Sequence, residues 1–206
     1  PTSELGKITK STPMGSLDAP FNPVSLALGA EASFVARTVD SDRKHLTDVL
    51  RQAAEHPGTA LVEIYQNCNI FNDGAFDTLK DKQQAEEAVI RLEHGRPVRF
   101  GAGLSKGVVR DTATGDLKVV PVTPENEAQI LVHDAHNPSP TTAFALSRLA
   151  DPTTLHHTPI GVFRSIDRPV YDTLMADQLD TAIEQHGKAD LTSLLTGNDT
   201  WTVESS

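Results

Sequence analysis

Apolar residues recur in two rhythms over the first hundred positions. Between Arg43 and Glu55, the residues Leu46, Val49, Leu50 and Ala53 fall at i, i+3, i+4 and i+7 among charged neighbours, which predicts a helix with one apolar face. Asp40-Ser41-Asp42 supplies capping side chains ahead of it, and His56-Pro57-Gly58 ends it. Phe34-Val35-Ala36-Arg37-Thr38-Val39 and Thr59-Ala60-Leu61-Val62-Glu63-Ile64-Tyr65 are short runs of strand length on either side, read as buried strands. A short Ala- and Leu-favoured helix over Pro23–Ala32 precedes them. The resulting helix–strand–helix–strand order predicts an α/β protein built on a parallel sheet. Asp81 to Leu92 then reads as a charged helix with Ala85, Ala88, Val89 and Leu92 inward.

Past Gly95 the runs shorten. Val98–Gly101, Gly107–Arg110 and Leu117–Val122 predict short strands, the last two joined by a hairpin turn over Asp111–Asp116, and Ile130–Asp134 predicts another. Thr141–Leu149 and Tyr171–His186 carry helical patterns, with Pro152, Pro159 and Pro169 punctuating the connection. Residues 1–23, rich in Pro, Gly, Ser and Thr, form a loop that needs a neighbour to order it. The change of pattern between Gly95 and Gly107 divides the chain into residues 1–100 and an irregular α+β extension, residues 101–206.

Composition narrows the class. The 206 residues, 38% hydrophobic with mean hydropathy −0.29, contain no apolar run near the roughly 20 residues a bilayer span needs, so no membrane role is expected. One cysteine excludes an internal disulfide framework and points to a reducing, cytoplasmic setting. A formal charge of −10 argues against nucleic acid. Lys80, Lys82, Arg91, Arg96 and Arg99 are interleaved with acids along the chain, so no basic cluster is visible, and an acidic partner would need a local patch or another subunit.

The chemistry gathers at Cys68, in Glu63-Ile64-Tyr65-Gln66-Asn67-Cys68-Asn69-Ile70-Phe71-Asn72-Asp73-Gly74, where a strand breaks into a polar loop. Carboxyl ends of strands in open α/β sheets are where ligands collect, although a lone cysteine is equally a small buried side chain. A Cys–His pairing with His45 or His94 is open on spacing but has no local signature. Asn67, Asn69 and Asn72 suit loop geometry. The eight histidines, including His133-Asp134-Ala135-His136 and His156-His157, lack zinc-ligand spacing and read as surface or hydrogen-bonding residues. Trp201 reads as an anchor for the tail.

Thr9-Lys10-Ser11-Thr12-Pro13-Met14-Gly15-Ser16, Pro20-Phe21-Asn22-Pro23, Ala27-Leu28-Gly29-Ala30-Glu31-Ala32, Phe34-Val35-Ala36-Arg37 and the Cys68 loop, in this order, resemble the β-subunit of 2-oxoacid:ferredoxin oxidoreductases, closest to the 2-oxoglutarate type. Pro159-Ile160-Gly161-Val162-Phe163-Arg164, Arg168-Pro169-Val170-Tyr171-Asp172, and Asp190-Leu191 leading to Asp199-Thr200-Trp201-Thr202-Val203, extend the resemblance over essentially the whole chain. It implies the second half of a thiamine-diphosphate-binding parallel-sheet domain over residues 1–100, followed by a β-subunit extension. The family's paired cysteines, third cysteine and Gly-Asp-Gly motif do not occur here, so the resemblance implies the C-terminal portion of a β-subunit.

On that resemblance Cys68 is expected to be one ligand of a [4Fe–4S] cluster, the other three coming from the preceding part of the same β-subunit along with the residues for thiamine diphosphate and Mg²⁺. The implied activity is oxidative decarboxylation of a 2-oxoacid to acyl-coenzyme A and CO₂, with electrons passed through the cluster to ferredoxin, in an α2β2 assembly completed by an α-subunit. No residue of this chain is expected to act as acid or base. The alternatives are a non-catalytic scaffold or interaction domain, and an iron-free thiamine-dependent decarboxylase.

Overall fold

A computed structural model describes residues 4–70, 72–197 and 199–204. They fall into two compact units, the first ending at Asp167 and the second starting at Arg168.

The first unit is organised around a four-stranded sheet. Helix α1 (Pro23–Gly29) starts where the Asn22 side chain accepts the Ser25 amide at 3.0 Å and Pro23 presets the first turn. Strand β1 (Phe34–Val39) follows and is buried at every position. Asp42 caps α2 (Arg43–Glu55) by accepting from the His45 amide at 3.1 Å, and β2 (Ala60–Tyr65) returns parallel to β1 with Phe34 beside Ala60 and Val39 beside Tyr65. After α3 (Asp77–Lys80), helix α4 (Lys82–Ala88) is capped by Asp81.

There the expectation of one helix to Leu92 fails. The chain extends at Val89 into β3 (Val89–Leu92), because the β-branched pair Val89-Ile90 enters a ladder with a strand from far downstream. The four inward residues are nevertheless those anticipated: Ala85 is half-buried, and Ala88, Val89 and Leu92 are buried.

The second, antiparallel sheet contains β4 (Arg99–Phe100), β5 (Lys106–Arg110) and β6 (Leu117–Pro121). The expected hairpin turn between β5 and β6 is present, with the Asp111 amide donating to Asp116 at 2.8 Å. Ile130–Asp134 contributes only single bridges, Ile130 to Val109 and Val132 to Pro97, in place of a strand. After α5 (Thr141–Ser147) comes β7 (Thr158–Ser165), which periodicity did not signal. It inserts between β1 and β3, giving the order β2-β1-β7-β3, antiparallel to β1 and parallel to β3.

The period-two alternation of β1 sends its side chains to two cores. Phe34 and Ala36 pack with Val49 of α2, while Val35 joins Phe163, Val24 and Leu28 of α1, and Leu146 of α5. Leu50, expected inward, is 43% exposed, so the buried face of α2 is narrower than its spacing suggested. α1 and α5 are clasped by the buried Ser25 and Ser147 hydroxyls at 2.8 Å, and the Asn22 amide donates to the Ser147 carbonyl at 2.9 Å. Two buried arginines are matched to acceptors. Arg37 meets Glu63 at 2.6 Å and lies over the Tyr65 and Phe163 rings. Arg164 meets Glu31 at 2.9 Å and the Pro138 carbonyl at 2.6 Å.

The second unit holds α6 (Tyr171–His186) and α7 (Leu191–Thr196), the latter capped by Asp190. Neither helix buries a residue, and Trp201 is 83% exposed rather than docked as an anchor. Among the described residues no helix is long and apolar enough to cross a membrane.

Candidate functional site

Strand β2 ends at Tyr65, and the ten residues that follow form the Cys68 loop, of which Phe71 lies outside the described residues. The loop's neck is closed by Tyr65 and Phe76, whose rings stack with centroids 4.7 Å apart at 14°. Burial there pushes the Tyr65 phenol up to about 12, so it stays protonated. Asn67 stitches the loop from inside. Its amide nitrogen donates to Asn69 at 2.7 Å and Asp73 at 2.8 Å, and its carbonyl accepts the Gly74 amide at 3.0 Å. The Asn72 amide donates to the Cys68 carbonyl at 2.9 Å, forming an isolated antiparallel bridge.

Two neighbours hold this loop to the sheet. The Asn67 backbone amide donates to Asp40, just past β1, at 3.4 Å. Lys7, from the N-terminal loop, donates to the Asn72 side chain, so the segment that needed a neighbour for order finds one here. The three asparagines therefore do the geometric work expected of them. Cys68 is half-buried. Among the described residues no set of three or more His, Cys, Asp or Glu side chains is arranged to hold a metal ion. Cys68 is therefore not the centre of a metal site formed within the described residues.

The histidines are engaged in the fold. His45 bonds Thr38 at 2.8 Å, and burial, followed by the Arg91 charge, lowers its pKa. The His94 ring lies 4.3 Å from that of His136, and its Nδ1 lies 3.4 Å from Asp134. His133 is buried, with Nε2 donating to the Val162 carbonyl at 2.7 Å.

On the same end of the sheet lies a cleft of about 1000 Å³ bounded by Val39, Val89, Phe100 and Ile160. Linear sequence suggested no basic cluster, yet folding brings Arg43, Lys80, Lys82, Arg91, Arg96 and Arg99 to this one cleft. Three carboxylates, Asp42, Glu86 and Glu93, share it. Burial would raise the Asp42 carboxyl, but the Arg91 guanidinium at 2.6 Å and the His45 amide hold it below the usual range. Asp40 joins the cleft to the Cys68 loop: it accepts from Asn67 on one side and meets Lys80 at 3.2 Å on the other.

The fold is a mixed α/β sheet with a thiol-bearing loop at a strand's carboxyl end, where ligands collect in open α/β sheets, and comparison with known proteins narrows the class. No family profile matches the chain. It is 56% identical, over 99% of its length and 54% of the relative's, to 2-oxoglutarate oxidoreductase subunit KorB of Mycobacterium tuberculosis. A β-subunit of a 2-oxoacid:ferredoxin oxidoreductase from Saccharolobus solfataricus is 28% identical over 62% of this chain and 43% of its own. Among solved structures, a 2-oxoglutarate:ferredoxin oxidoreductase from Magnetococcus marinus, with 2-oxoglutarate, coenzyme A and succinyl-CoA bound, shares the fold with a TM-score of 0.59. That match is at 18% identity and covers 94% of this chain and 50% of the other. Over nearly its whole length the chain is thus similar to β-subunits of 2-oxoacid:ferredoxin oxidoreductases, a family of enzymes. It spans about half the length of the curated relatives it matches.

Proposed function

We propose that this chain is the part of a 2-oxoglutarate:ferredoxin oxidoreductase β-subunit that carries Cys68 as one thiolate ligand of a [4Fe–4S] cluster. The observation that carries the reading is identity of 56% to a 2-oxoglutarate oxidoreductase subunit, sustained over nearly the full chain. The half-buried position of Cys68 on a stitched loop at the end of β2 supports the residue assignment. Three further thiolates, thiamine diphosphate and Mg²⁺ belong to the remainder of the subunit. An α-subunit completes an α2β2 enzyme in the cytoplasm that acts on a 2-oxoacid and coenzyme A. When bound, the cluster stores and passes single electrons. The residues of this chain supply one sulfur, fix its loop through Asn67, and keep a protonated Tyr65 at the loop's neck.

The test is Cys68→Ser in the full-length subunit co-expressed with its α-subunit. The expected outcome is an assembled, folded complex that has lost most of its cluster iron and electron paramagnetic resonance signal, with ferredoxin reduction down by at least about a hundredfold, since loss of a first ligand exceeds the 10–100-fold typical of outer-shell partners. Full iron content in that variant would remove Cys68 from the ligand set.

A further inference from the structure

The cationic cleft is unlike the rest of this acidic chain. Of its six cations, Lys80, Arg91 and Arg99 are paired with Asp40, Asp42 and Glu127. The side chains of Arg43, Lys82 and Arg96 make no hydrogen bond or ion pair among the described residues. The chain carries 28 acidic residues, so local pairing was available, and three unpaired like charges around one cleft do not serve its own stability. All three are solvent-exposed. A small-anion pocket would enclose its ligand and hold it with a few convergent, desolvated donors. Exposed, unpaired cations instead act at range on a large partner of opposite charge. The remaining carboxylates at the cleft, Glu86 and Glu93, lower the net field without cancelling it.

We propose that this cleft is where an acidic electron-carrier protein docks, its carboxylates meeting Arg43, Lys82 and Arg96. The inference rests on the reading of Cys68 as a cluster ligand. Its placement is chemically apt, since Lys80 at the cleft is linked through Asp40 to Asn67, the residue before Cys68. A carrier seated there stands next to the loop that would deliver the electron.

The experiment uses the complete holoenzyme with Arg43→Glu, Lys82→Glu and Arg96→Glu, singly and combined, and with Arg→Lys at positions 43 and 96. Two acceptors are compared at several salt concentrations: ferredoxin, and methyl viologen, a small cation that gains nothing from a basic surface. The combined charge reversal is expected to raise KM for ferredoxin about tenfold or more at low salt and to flatten its salt dependence, the range electrostatic steering supplies. Methyl viologen turnover and KM for 2-oxoglutarate stay at wild-type values, which also verifies folding, and the Arg→Lys forms behave as wild type. An unchanged KM for ferredoxin overturns the docking site, as does a raised KM for 2-oxoglutarate or coenzyme A, which would assign the cleft to a small molecule. Absence of any 2-oxoacid-dependent methyl viologen reduction in the wild-type holoenzyme would instead overturn the parent reading of the cluster-bearing enzyme.

Discussion

His133 shows how a single side chain couples this fold to pH. Its Nε2 donates to the Val162 carbonyl, which places the proton on that nitrogen, while Nδ1 is buried without a hydrogen-bond partner among the described residues. Charging the ring would put a proton where nothing accepts it, and burial lowers its pKa from 6.5 despite the opposing hydrogen bond. Because the folded-state value lies below the unfolded one, the unfolded chain takes up the proton first. Stability is therefore complete above pH 6.5 and declines as pH falls below it. His45 is shifted in the same direction and adds to the decline. Denaturant unfolding should show a loss of up to about 1.4 kcal/mol per pH unit for each such histidine, and an NMR titration should place His133 below 6.5. A His133 titrating above 6.5 would remove this account. At this scale the sequence was informative where chemistry is local: the Asn-rich stretch around Cys68 declared a turn, and it is one. It was silent where meaning depends on convergence. Arg43, Lys82 and Arg96 look interspersed in linear order because the groove that gathers them exists only once α2, α4 and the segment before β4 are packed.

Among the elements, the misread ones share a cause. Ala85, Ala88, Val89 and Leu92 satisfy a helical spacing, but the same Val89-Ile90 pair also suits a strand, and the deciding partner is β7, some seventy residues away. β7 itself carries Pro159 and Gly161, which suppress any alternating signal, yet it is central in the sheet. Gly161 explains why such a strand is needed. It sits at φ +117°, pairs with Arg37 and Leu92 on its two sides, and a Cβ there would stand 2.6 Å from the Leu92 carbonyl oxygen. Gly161→Ala should cost at least about 1–3 kcal/mol from backbone strain alone, with the contact adding to it. Gly115→Ala, also at positive φ but in open space on the hairpin turn, should cost less. Equal denaturation midpoints for the two variants would show that β7 can shift away from β3, contrary to the packing described.

At the scale of the whole molecule the two units differ in how they are held. The first has buried strands, two matched arginines and helices on both sheet faces. In the second, Met175, Leu179 and Ile183 recur every four residues along one stripe of α6 and are 37–57% exposed, and Leu191, Leu194 and Leu195 of α7 are more exposed still. A helix of 16 residues that buries nothing is near the length at which isolated helices are marginal, about 12–15 residues. Sequence period alone made α6 legible as a helix but could not say what its stripe meets. In the complex proposed above, a surface that covers this stripe is the physical expectation, because an apolar face on so short a helix is stabilised by packing. Hydrogen exchange separates the possibilities. In the 206-residue chain alone, amides of β1 and β7 should exchange at rates near those of global unfolding, and amides of α6 and α7 almost as fast as an open peptide. In the complete complex the α6 stripe should gain strong protection. Protection of α6 in the isolated chain equal to that of β1 would mean that the tail unit is stabilised without any partner, and its apolar stripe would then be surface rather than interface.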